Sequence, residues 1–447
     1  MRAATASRTI TRTLILFLKV TNKLGLLFKG DKVIWMIFFF LCIISIVEVF
    51  SASSFLTFKG GSYWMPVLKH IGTIIAGFIA MYIVHMTPCK YFKIMTFPML
   101  LLSLVLVYVV LAFGASTNGA SRWMAVGGMQ FQPSEIAKGT LVLVVAQVLG
   151  AMQTERGADK QAFWWILGVS AIVIMPILVE NFSTGFLLSA VVFLMMFVGR
   201  VPFAQLGRLL GVVIAAAVIC VLVIVQYGKD DQTVNNERQP KTALVETVRG
   251  TADDDEAGEP KRKGVLHRLD TWKSRINGFL SPEVPPEKYD LDKDAQKAHA
   301  NIAIINSNVI GCGPGNSEER DFLSQAFSDF IYAIIIEEMG IVGAAAIAIL
   351  YVVLFWRAGR IARQCANNFP AFLVMGLSTL FVLQALVNML VAVDLMPVTG
   401  QPLPLISKGG SSTLINCIYI GMILSVSRTA KKRDNTSRPV TAATAGK

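Results

Sequence analysis

Residues 94–113, IMTFPMLLLSLVLVYVVLAF, decide the fold class of this chain. The stretch has 20 residues and no charge, and a helix of roughly 20 apolar residues can cross about 30 Å of membrane hydrocarbon. Similar stretches recur along nearly the whole chain, in which 54% of the residues are hydrophobic and 16% are charged. A single soluble core needs far fewer apolar side chains, so the sequence predicts an all-α membrane protein.

The hydropathy pattern predicts about ten transmembrane helices. They lie at 33–52, 67–86, 94–113, 135–152, 164–179, 183–199, 209–227, 330–356, 370–392 and 411–427. The membrane domain is therefore 33–427, and it includes a large extracytoplasmic loop, 228–329, between the seventh and eighth spans. A basic amphipathic cytoplasmic segment, 1–32, precedes this domain, and a basic cytoplasmic tail, 428–447, follows it.

The charges of the short loops predict the orientation. With the N-terminus inside, the cytoplasmic segments hold 22 Lys and Arg residues, and the short outer loops hold only Lys59, Lys69, Arg122 and Lys408. Cytoplasmic loops carry an excess of Lys and Arg. Both termini are therefore expected to be cytoplasmic, and the protein's chemistry is expected on the opposite, extracytoplasmic face of the cytoplasmic (inner) membrane.

The net charge of +12 does not indicate a nucleic-acid partner. The loop 228–329 alone has a net charge of −5, so the basic excess belongs to the short loops and tails, where it fixes cytoplasmic segments. The six Cys and four His residues form no C-x-x-C pair and no cluster with ligand spacing. Neither a disulfide framework nor a zinc site is predicted.

The large loop 228–329 divides into two parts. The first contains an acidic run at 253–256 and few apolar residues, so we expect it to be mobile. The second alternates apolar and polar residues and has three glycines within 311–315. This part is expected to fold back onto the membrane domain.

Charged side chains inside the predicted spans need a partner or a water-filled cavity, because a charge at mid-membrane costs at least about 2.5 kcal/mol. Glu135 and Lys138 open the fourth span three residues apart, on one helix face, where they can neutralise one another. Glu337 and Glu338 lie inside the eighth span. For this second pair we favour a buried polar network that holds helices together.

Asp329 stands where the large loop enters the eighth span, directly before the apolar residues 330–332. Low-dielectric surroundings at this outer mouth would make its carboxylate a useful proton acceptor. An ordinary helix N-cap aspartate explains the same position equally well. The residues alone leave both interpretations open.

An ordered set of motifs resembles the SEDS family, the shape, elongation, division and sporulation proteins. The matching stretches are SAS at 51–53, GASRW at 119–123, FQPSEIAK at 131–138, SDFIYA at 328–333 with EEMG at 337–340, and PVTGQPLPL at 397–405 with SKGGSS at 407–412. The resemblance extends over most of the chain. The chain departs from the family at Lys408, where a tyrosine is usual, and at 180–185, which lacks the family's aspartate.

The resemblance implies a peptidoglycan glycosyltransferase that polymerises lipid II, an undecaprenyl-pyrophosphate-linked precursor, into glycan strands on the outer face of the membrane. The family's functional aspartate matches Asp329, the expected catalytic residue. The expected substrate-binding residues are Arg275, Lys138, Glu135, Arg122 and Arg320. No metal ligand is assigned, although a divalent cation, Mg²⁺ or Mn²⁺, fits the pyrophosphate chemistry, and no organic cofactor is expected.

The implied partners are lipid II, a class B penicillin-binding protein that cross-links the product, other divisome proteins and membrane lipids, with no nucleic acid. Small residues at 343–346, together with Tyr332 and Asn388, predict that the partner's single span docks on the eighth and ninth spans. The sequences 313–317 and 409–412 are more typical of the division branch than of the elongation branch.

Three alternatives stay open: a polymerase of cell elongation, a lipid II flippase and a non-catalytic scaffold. Several acidic residues in the spans would suit the polar path of a flippase. The large outer loop and the lack of an obvious inverted repeat favour the polymerase. Asp329 discriminates between these functions, because a polymerase needs its carboxylate and a scaffold does not.

Overall fold

The computed structural model describes residues 28–52, 64–113, 115–117, 120–126, 129–227, 295–323 and 328–436. Within these ranges the chain forms eleven α-helices. They are α1 Lys32–Ala52, α2 Met65–Met86, α3 Cys89–Phe113, α4 Pro133–Ala151, α5 Lys160–Glu180, α6 Phe182–Val198, α7 Phe203–Tyr227, α8 Ala295–Asn306, α9 Ile331–Gln364, α10 Asn368–Ala392 and α11 Gly410–Thr436. Ten of them match the ten predicted spans, and α8 lies in the large loop.

Eight of the described helices, α1 to α5 and α9 to α11, are long and apolar enough to cross a membrane. In α6 and α7 the apolar stretches are shorter, at Phe182–Val198 and Phe203–Ala216. The prediction of an all-α, multi-span membrane protein is confirmed, and the count of ten spans stays a prediction. Residues 1–27 and 228–294 lie outside the described residues, as do the predictions made for them, including Arg275.

The helices are layered around α4 and α11, which are mostly buried. Helix α11 packs along α2, α10 packs between α4 and α9, and α3 packs along α4. Helices α2, α3 and α9 leave most of their apolar surface exposed, with Ile83 and Phe97 among the most exposed side chains. Apolar side chains on the outside of the bundle suit contact with lipid, which confirms the membrane assignment in physical terms.

Short strands, which the sequence did not predict, occupy two connections. Between α3 and α4 the order is β1 Ala115–Thr117, β2 Ala120–Val126 and β3 Met129–Phe131, all antiparallel, and β4 Gln153–Thr154 pairs with β5 Gly157–Ala158 after α4. Strands of two to seven residues are too short to register in the long apolar pattern that identifies membrane spans.

The eighth span differs from its prediction. Helix α9 continues to Gln364, beyond the predicted end at 356, and it is interrupted at Gly340, whose φ of 67° and ψ of −176° are not helical. The interruption separates a leading segment, 331–339, from the rest of α9. Almost the whole leading segment is buried, so it is an inner element of the protein rather than the start of a lipid-facing span.

The chain that follows α8 crosses α9 at this interruption. Four backbone hydrogen bonds join the two: Cys312 N to Glu337 O at 3.0 Å, Gly313 N to Glu338 O at 2.8 Å, Ile341 N to Asn308 O at 3.4 Å and Val342 N to Val309 O at 3.3 Å. A Cβ at Gly311 would lie 2.3 Å from Glu338 O, and one at Gly340 would lie 2.4 Å from Val309 O. Glycine is therefore required on both sides, and the prediction that this part of the loop folds back is confirmed.

Candidate functional site

Asp329 lies half-buried at the start of α9 and is held by hydrogen bonds from two sides. The Ser328 hydroxyl donates to its Oδ1 at 3.0 Å. Asn388 Nδ2 of α10 donates to the Asp329 backbone oxygen at 2.8 Å. The N-cap residue of α9 is Phe330, so Asp329 is not the ordinary N-cap that the sequence left open.

The loop between α10 and α11 passes directly beside the Asp329 carboxylate. Gly400 adopts a φ of 67°, and a Cβ built there would lie 3.5 Å from Asp329 Oδ2. The Ser407 hydroxyl donates to Ser328 O at 2.6 Å and accepts from Leu403 N at 2.7 Å. This loop, 397–407, therefore forms one wall of the site, and its backbone geometry sets how much room remains at the carboxylate.

Glu135 and Lys138, near the start of α4, form the ion pair that their spacing predicted. Lys138 Nζ lies 2.8 Å from Glu135 Oε1, and both side chains are almost completely buried, at 1% and 2% exposure. Lys138 also donates to Gln384 Oε1 at 2.9 Å, and the Ser412 hydroxyl lies 3.3 Å from Glu135 Oε2. A buried pair needs such extra hydrogen bonds to offset the cost of removing both charges from water.

A chain of amide contacts connects this ion pair with Asp329. Gln384 and Asn388 lie four residues apart on one face of α10. Gln384 accepts from Lys138 and donates to Pro402 O at 3.0 Å. Asn388 Nδ2 lies 2.7 Å from Gln401 O as well as 2.8 Å from Asp329 O. Lys138 and Asp329, which were predicted separately, are thus linked through side chains of α10 and the loop 397–407.

The parts that Gln384 and Gln401 play were not predicted from the sequence, and Asn388 was predicted to lie on the docking face. All three side chains are buried, at 3% exposure or less. The available signal was the presence of amides four residues apart inside an apolar span, because polar groups in a membrane helix require partners. That signal identifies Gln384 and Asn388, but it does not identify the loop 397–407, which they bind and which contains Gln401.

Arg320 is surrounded by groups of the protein itself. Its Nη1 donates to Ser51 Oγ at 3.1 Å and to Gly315 O at 2.6 Å, and it lies 3.9 Å from Glu338 Oε1. The Ser51 hydroxyl also donates to Glu338 Oε1. Arg320 therefore joins the large loop to α1 and α9, and its predicted contact with substrate stays a prediction.

The buried polar network predicted for Glu337 and Glu338 is confirmed. Glu337 accepts from the Ser317 hydroxyl at 2.5 Å and from Glu318 N at 3.0 Å. Glu338 accepts from Ser51, as described above. Two acids of α9 thus hold the loop segment 317–320 against the membrane domain.

Arg122 and a metal site are the remaining parts of the predicted site, and the structure describes only the backbone of Arg122. Arg122 belongs to β2, next to β1 in the three-stranded sheet, and its side chain lies outside the described part of the chain. Among the described residues, no group of three His, Cys, Asp or Glu side chains could hold a metal ion. The described residues thus provide no metal cage independent of substrate.

The predicted docking face needs a correction. Tyr332 is buried and its hydroxyl donates to Ala344 O at 3.2 Å, and Asn388 is buried in the amide chain. Neither can contact a partner. Ala345 is exposed on α9, and so are Ile341, Val342, Ile349, Val352 and Trp356. Of the predicted small residues, Ala345 and Ala346 are exposed, whereas Gly343 and Ala344 are buried. The exposed face of α9 is therefore apolar, and it keeps only two of the predicted residues.

Comparisons with known proteins agree with this architecture. The family model FTSW_RODA_SPOVE, described as "Cell cycle protein", matches residues 31–241 and 264–432. A Geobacter sulfurreducens protein named "Probable peptidoglycan glycosyltransferase FtsW" is 28% identical over 90% of this chain and 96% of its own length. The protein of the same name from Halomonas elongata is 28% identical over 90% and 92%.

Two solved structures share the fold. One, described as "Structural coordination of polymerization and crosslinking by a peptidoglycan synthase complex", matches with a TM-score of 0.63 and 21% identity over 89% of this chain and 98% of that chain. The other, the Rod shape determining protein RodA of Thermus thermophilus, matches with a TM-score of 0.57 and 20% identity over 89% and 97%.

Proposed function

Since the chain belongs to the FtsW, RodA and SpoVE family of cell cycle proteins, we propose that it is a peptidoglycan glycosyltransferase that polymerises lipid II. The relatives named FtsW match it over nine-tenths of its length. The observation that carries the proposal at the level of chemistry is the Asp329 carboxylate, held half-buried beside the loop 397–407. The similarity to proteins named FtsW favours a role in cell division over elongation.

In the proposed reaction the 4-hydroxyl of an acceptor sugar attacks the anomeric carbon of a donor. Asp329 takes the hydroxyl proton as the new glycosidic bond forms, and undecaprenyl pyrophosphate leaves with the electrons of the broken bond. A positioned base contributes about 100- to 10,000-fold to such a step. The contacts of Ser328 and Asn388 support this role, because they fix the backbone and one oxygen of the base.

Positive groups must stabilise the charge that develops on the pyrophosphate. We assign this role to Arg275 and Arg122 of the outer loops and to Lys138, with Arg320 as a further candidate. Lys138 is buried against Glu135 and Gln384, so its ammonium can meet the pyrophosphate only if the groups that cover it rearrange when substrate binds.

A divalent ion suits this site only together with substrate. Mg²⁺ is commonly held by one or two carboxylates plus phosphate oxygens, and Asp329 can supply one carboxylate. The bound ion would neutralise charge on the leaving pyrophosphate. Dependence of polymerisation on added Mg²⁺ or Mn²⁺, after treatment with a chelator, tests this assignment.

We propose that both termini are cytoplasmic and that the site faces outward, as the loop charges predict. Cys312 of the large loop is exposed, whereas Cys365, in the connection between α9 and α10, is half-buried. Partial desolvation of the thiol and the charges of Glu337 and Glu338 raise the pKa of Cys312, so labelling is best done at mildly alkaline pH. An impermeant thiol reagent should label Cys312 on intact cells, and Cys312→Ser should abolish that signal. Labelling only after membrane disruption contradicts this orientation.

The proposed partner is a single-span class B penicillin-binding protein. The similar solved structure described as a complex that polymerises and crosslinks supports such a pairing. The exposed apolar face of α9 around Ala345 is where we place the contact, because small residues permit close approach of helices in lipid.

The function is tested with purified lipid II and the purified full-length chain, with and without its class B penicillin-binding protein. Glycan strands should form, and Asp329→Asn should prevent their formation. If the parent protein forms no strands with any such partner but moves lipid II across vesicle membranes, the flippase interpretation replaces this proposal.

A further inference from the structure

Glu48 lies in the C-terminal third of α1 and is completely buried, at 0% exposure. Neither of its carboxylate oxygens has a hydrogen-bond partner within the described part of the chain. An ionised carboxylate is rarely left in this condition, because removing its charge from water is costly unless partners replace the water. The proposed reaction does not explain why this carboxyl group is buried there, so its protonation state needs an explanation of its own.

The neighbour of Glu48 is another acid with a vacant acceptor. Ser51 lies three residues after Glu48 on the same face of α1, and its hydroxyl donates to Oε1 of Glu338. The α1 face that carries Glu48 is thus directed at Glu338. Oε2 of Glu338 is buried and has no hydrogen-bond partner among the described residues.

Arg320 is the cation that lies beside Glu338 among the described residues. Its Nη1 lies 3.9 Å from Glu338 Oε1 and is also shared with Ser51 Oγ and Gly315 O. A single shared guanidinium does not offset the charges of Glu48 and Glu338 if both are ionised. Glu337 is already satisfied by Ser317 and by the Glu318 backbone. One proton placed between Glu48 and Glu338 lowers the negative charge, and it gives a partner to Glu48 and to the vacant Oε2 of Glu338.

We propose that Glu48 is a neutral carboxylic acid whose hydroxyl donates a hydrogen bond to Oε2 of Glu338, and that this bond positions the segment of α9 that begins at Asp329. The proton stays on the pair and takes no part in the reaction. Glu48 is then a positioning residue, and this consequence for activity rests on the proposed function.

The structure shows how such a bond would act on the site. Glu338 lies in the leading segment of α9, 331–339, and Asp329 immediately precedes that segment. The segment ends at the interruption at Gly340, and the Tyr332 hydroxyl, which donates to Ala344 O, joins it to the rest of α9. Contacts to α1 and to the loop 308–320 hold its far side. Loss of the Glu48 contact would remove part of this support and let Asp329 drift from its substrate.

The first test compares two substitutions of similar size in the full-length protein with its partner. Glu48→Gln keeps a donor, since its amide nitrogen can bind Glu338, and polymerisation should stay within about twofold of the parent. Glu48→Met removes the donor and leaves a buried acceptor unpaired. Its kcat should fall about tenfold with little change in KM, the loss expected for one unpaired buried group.

The second test does not use lipid II, so it is independent of the proposed function. Infrared spectroscopy should detect the carbonyl stretch of a protonated carboxylic acid in the parent, and Glu48→Gln should remove that band. Asp159→Asn, at an exposed carboxylate near the start of α5, should leave it in place. An unchanged band in Glu48→Gln overturns the proposal, and so does equal activity of Glu48→Met and Glu48→Gln.

Discussion

The side-chain nitrogen of Asn388 lies 2.8 Å from the backbone oxygen of Asp329, which ties the proposed base to the middle of α10. The same nitrogen lies 2.7 Å from Gln401 O. One buried amide therefore fixes both Asp329 and the loop beside its carboxylate, and the site depends on this contact for its geometry.

Asn388→Leu tests this contact. It removes both hydrogen bonds and leaves two backbone oxygens without this donor, each at a cost of about 1–3 kcal/mol when buried. We expect lower thermal stability and at least tenfold slower polymerisation. The matched control is Ser378→Ala, because Ser378 lies buried on the same helix and, among the described residues, donates to Met375 O of that helix. Equal effects of the two changes would mean that Asn388 has no special relation to the site.

Asp329→Asn separates an enzyme from a transporter or scaffold. The amide keeps the size of the side chain and much of its hydrogen bonding but cannot accept the sugar proton. Glycan synthesis from lipid II should fall by at least about 100-fold, the lower end of what a positioned base contributes, while folding and partner binding persist. Ser328→Ala, which removes only the 3.0 Å contact to Oδ1, should cost much less. A polymerisation rate near the parent value in Asp329→Asn would refute the base assignment.

The Glu135–Lys138 pair predicts a non-additive result. Lys138→Met alone leaves a buried carboxylate without its ammonium, and breaking a buried pair costs about 3–5 kcal/mol. The double variant Glu135→Leu with Lys138→Met removes both charges and should regain most of that stability. Unfolding of the purified variants measures the difference. If the stable double variant is also inactive, the pair contributes to substrate handling as well as to folding.

The exposed face of α9 predicts where the partner binds. Ala345→Trp replaces a small exposed side chain of this apolar face with a large ring, so the class B penicillin-binding protein should co-purify in lower yield. The control is Ile79→Trp, at a position 54% exposed on α2. A partner yield that is unchanged by Ala345→Trp, or equally reduced by both variants, would place the interface elsewhere.

Lys408 gives a prediction for pH. It lies in the loop before α11, and burial, followed by the charge of Lys69, lowers its pKa. A lysine whose folded-state pKa is lowered opposes folding at pH values where both states are protonated, and this effect disappears as the pH rises to the ordinary lysine range. Lys408→Gln should therefore raise stability at neutral pH, and its advantage should shrink in alkaline buffer. An advantage that is constant across this range would contradict the assignment.

The sequence by itself determined the membrane fold, because a span is defined by its own length and composition. The ten predicted spans each coincide with a helix, and the Glu135–Lys138 pair followed from a spacing of three on one helix. Motifs also singled out Asp329 as the candidate base. All of these features are local, so neighbouring residues along the chain contain the necessary information.

Only the tertiary structure decided which faces of the helices meet. Lipid is as apolar as the interior, so a span carries little amphipathic pattern to show which side is inside, and Tyr332 was wrongly assigned to the docking face for this reason. Three features join segments that lie far apart in the chain. They are the contacts of Asn388 with Gln401 and Asp329, the contact of Ser51 with Glu338, and the crossing of the chain after α8 at the interruption at Gly340. Such contacts depend on how the helices are rotated and packed, and no local pattern records that arrangement.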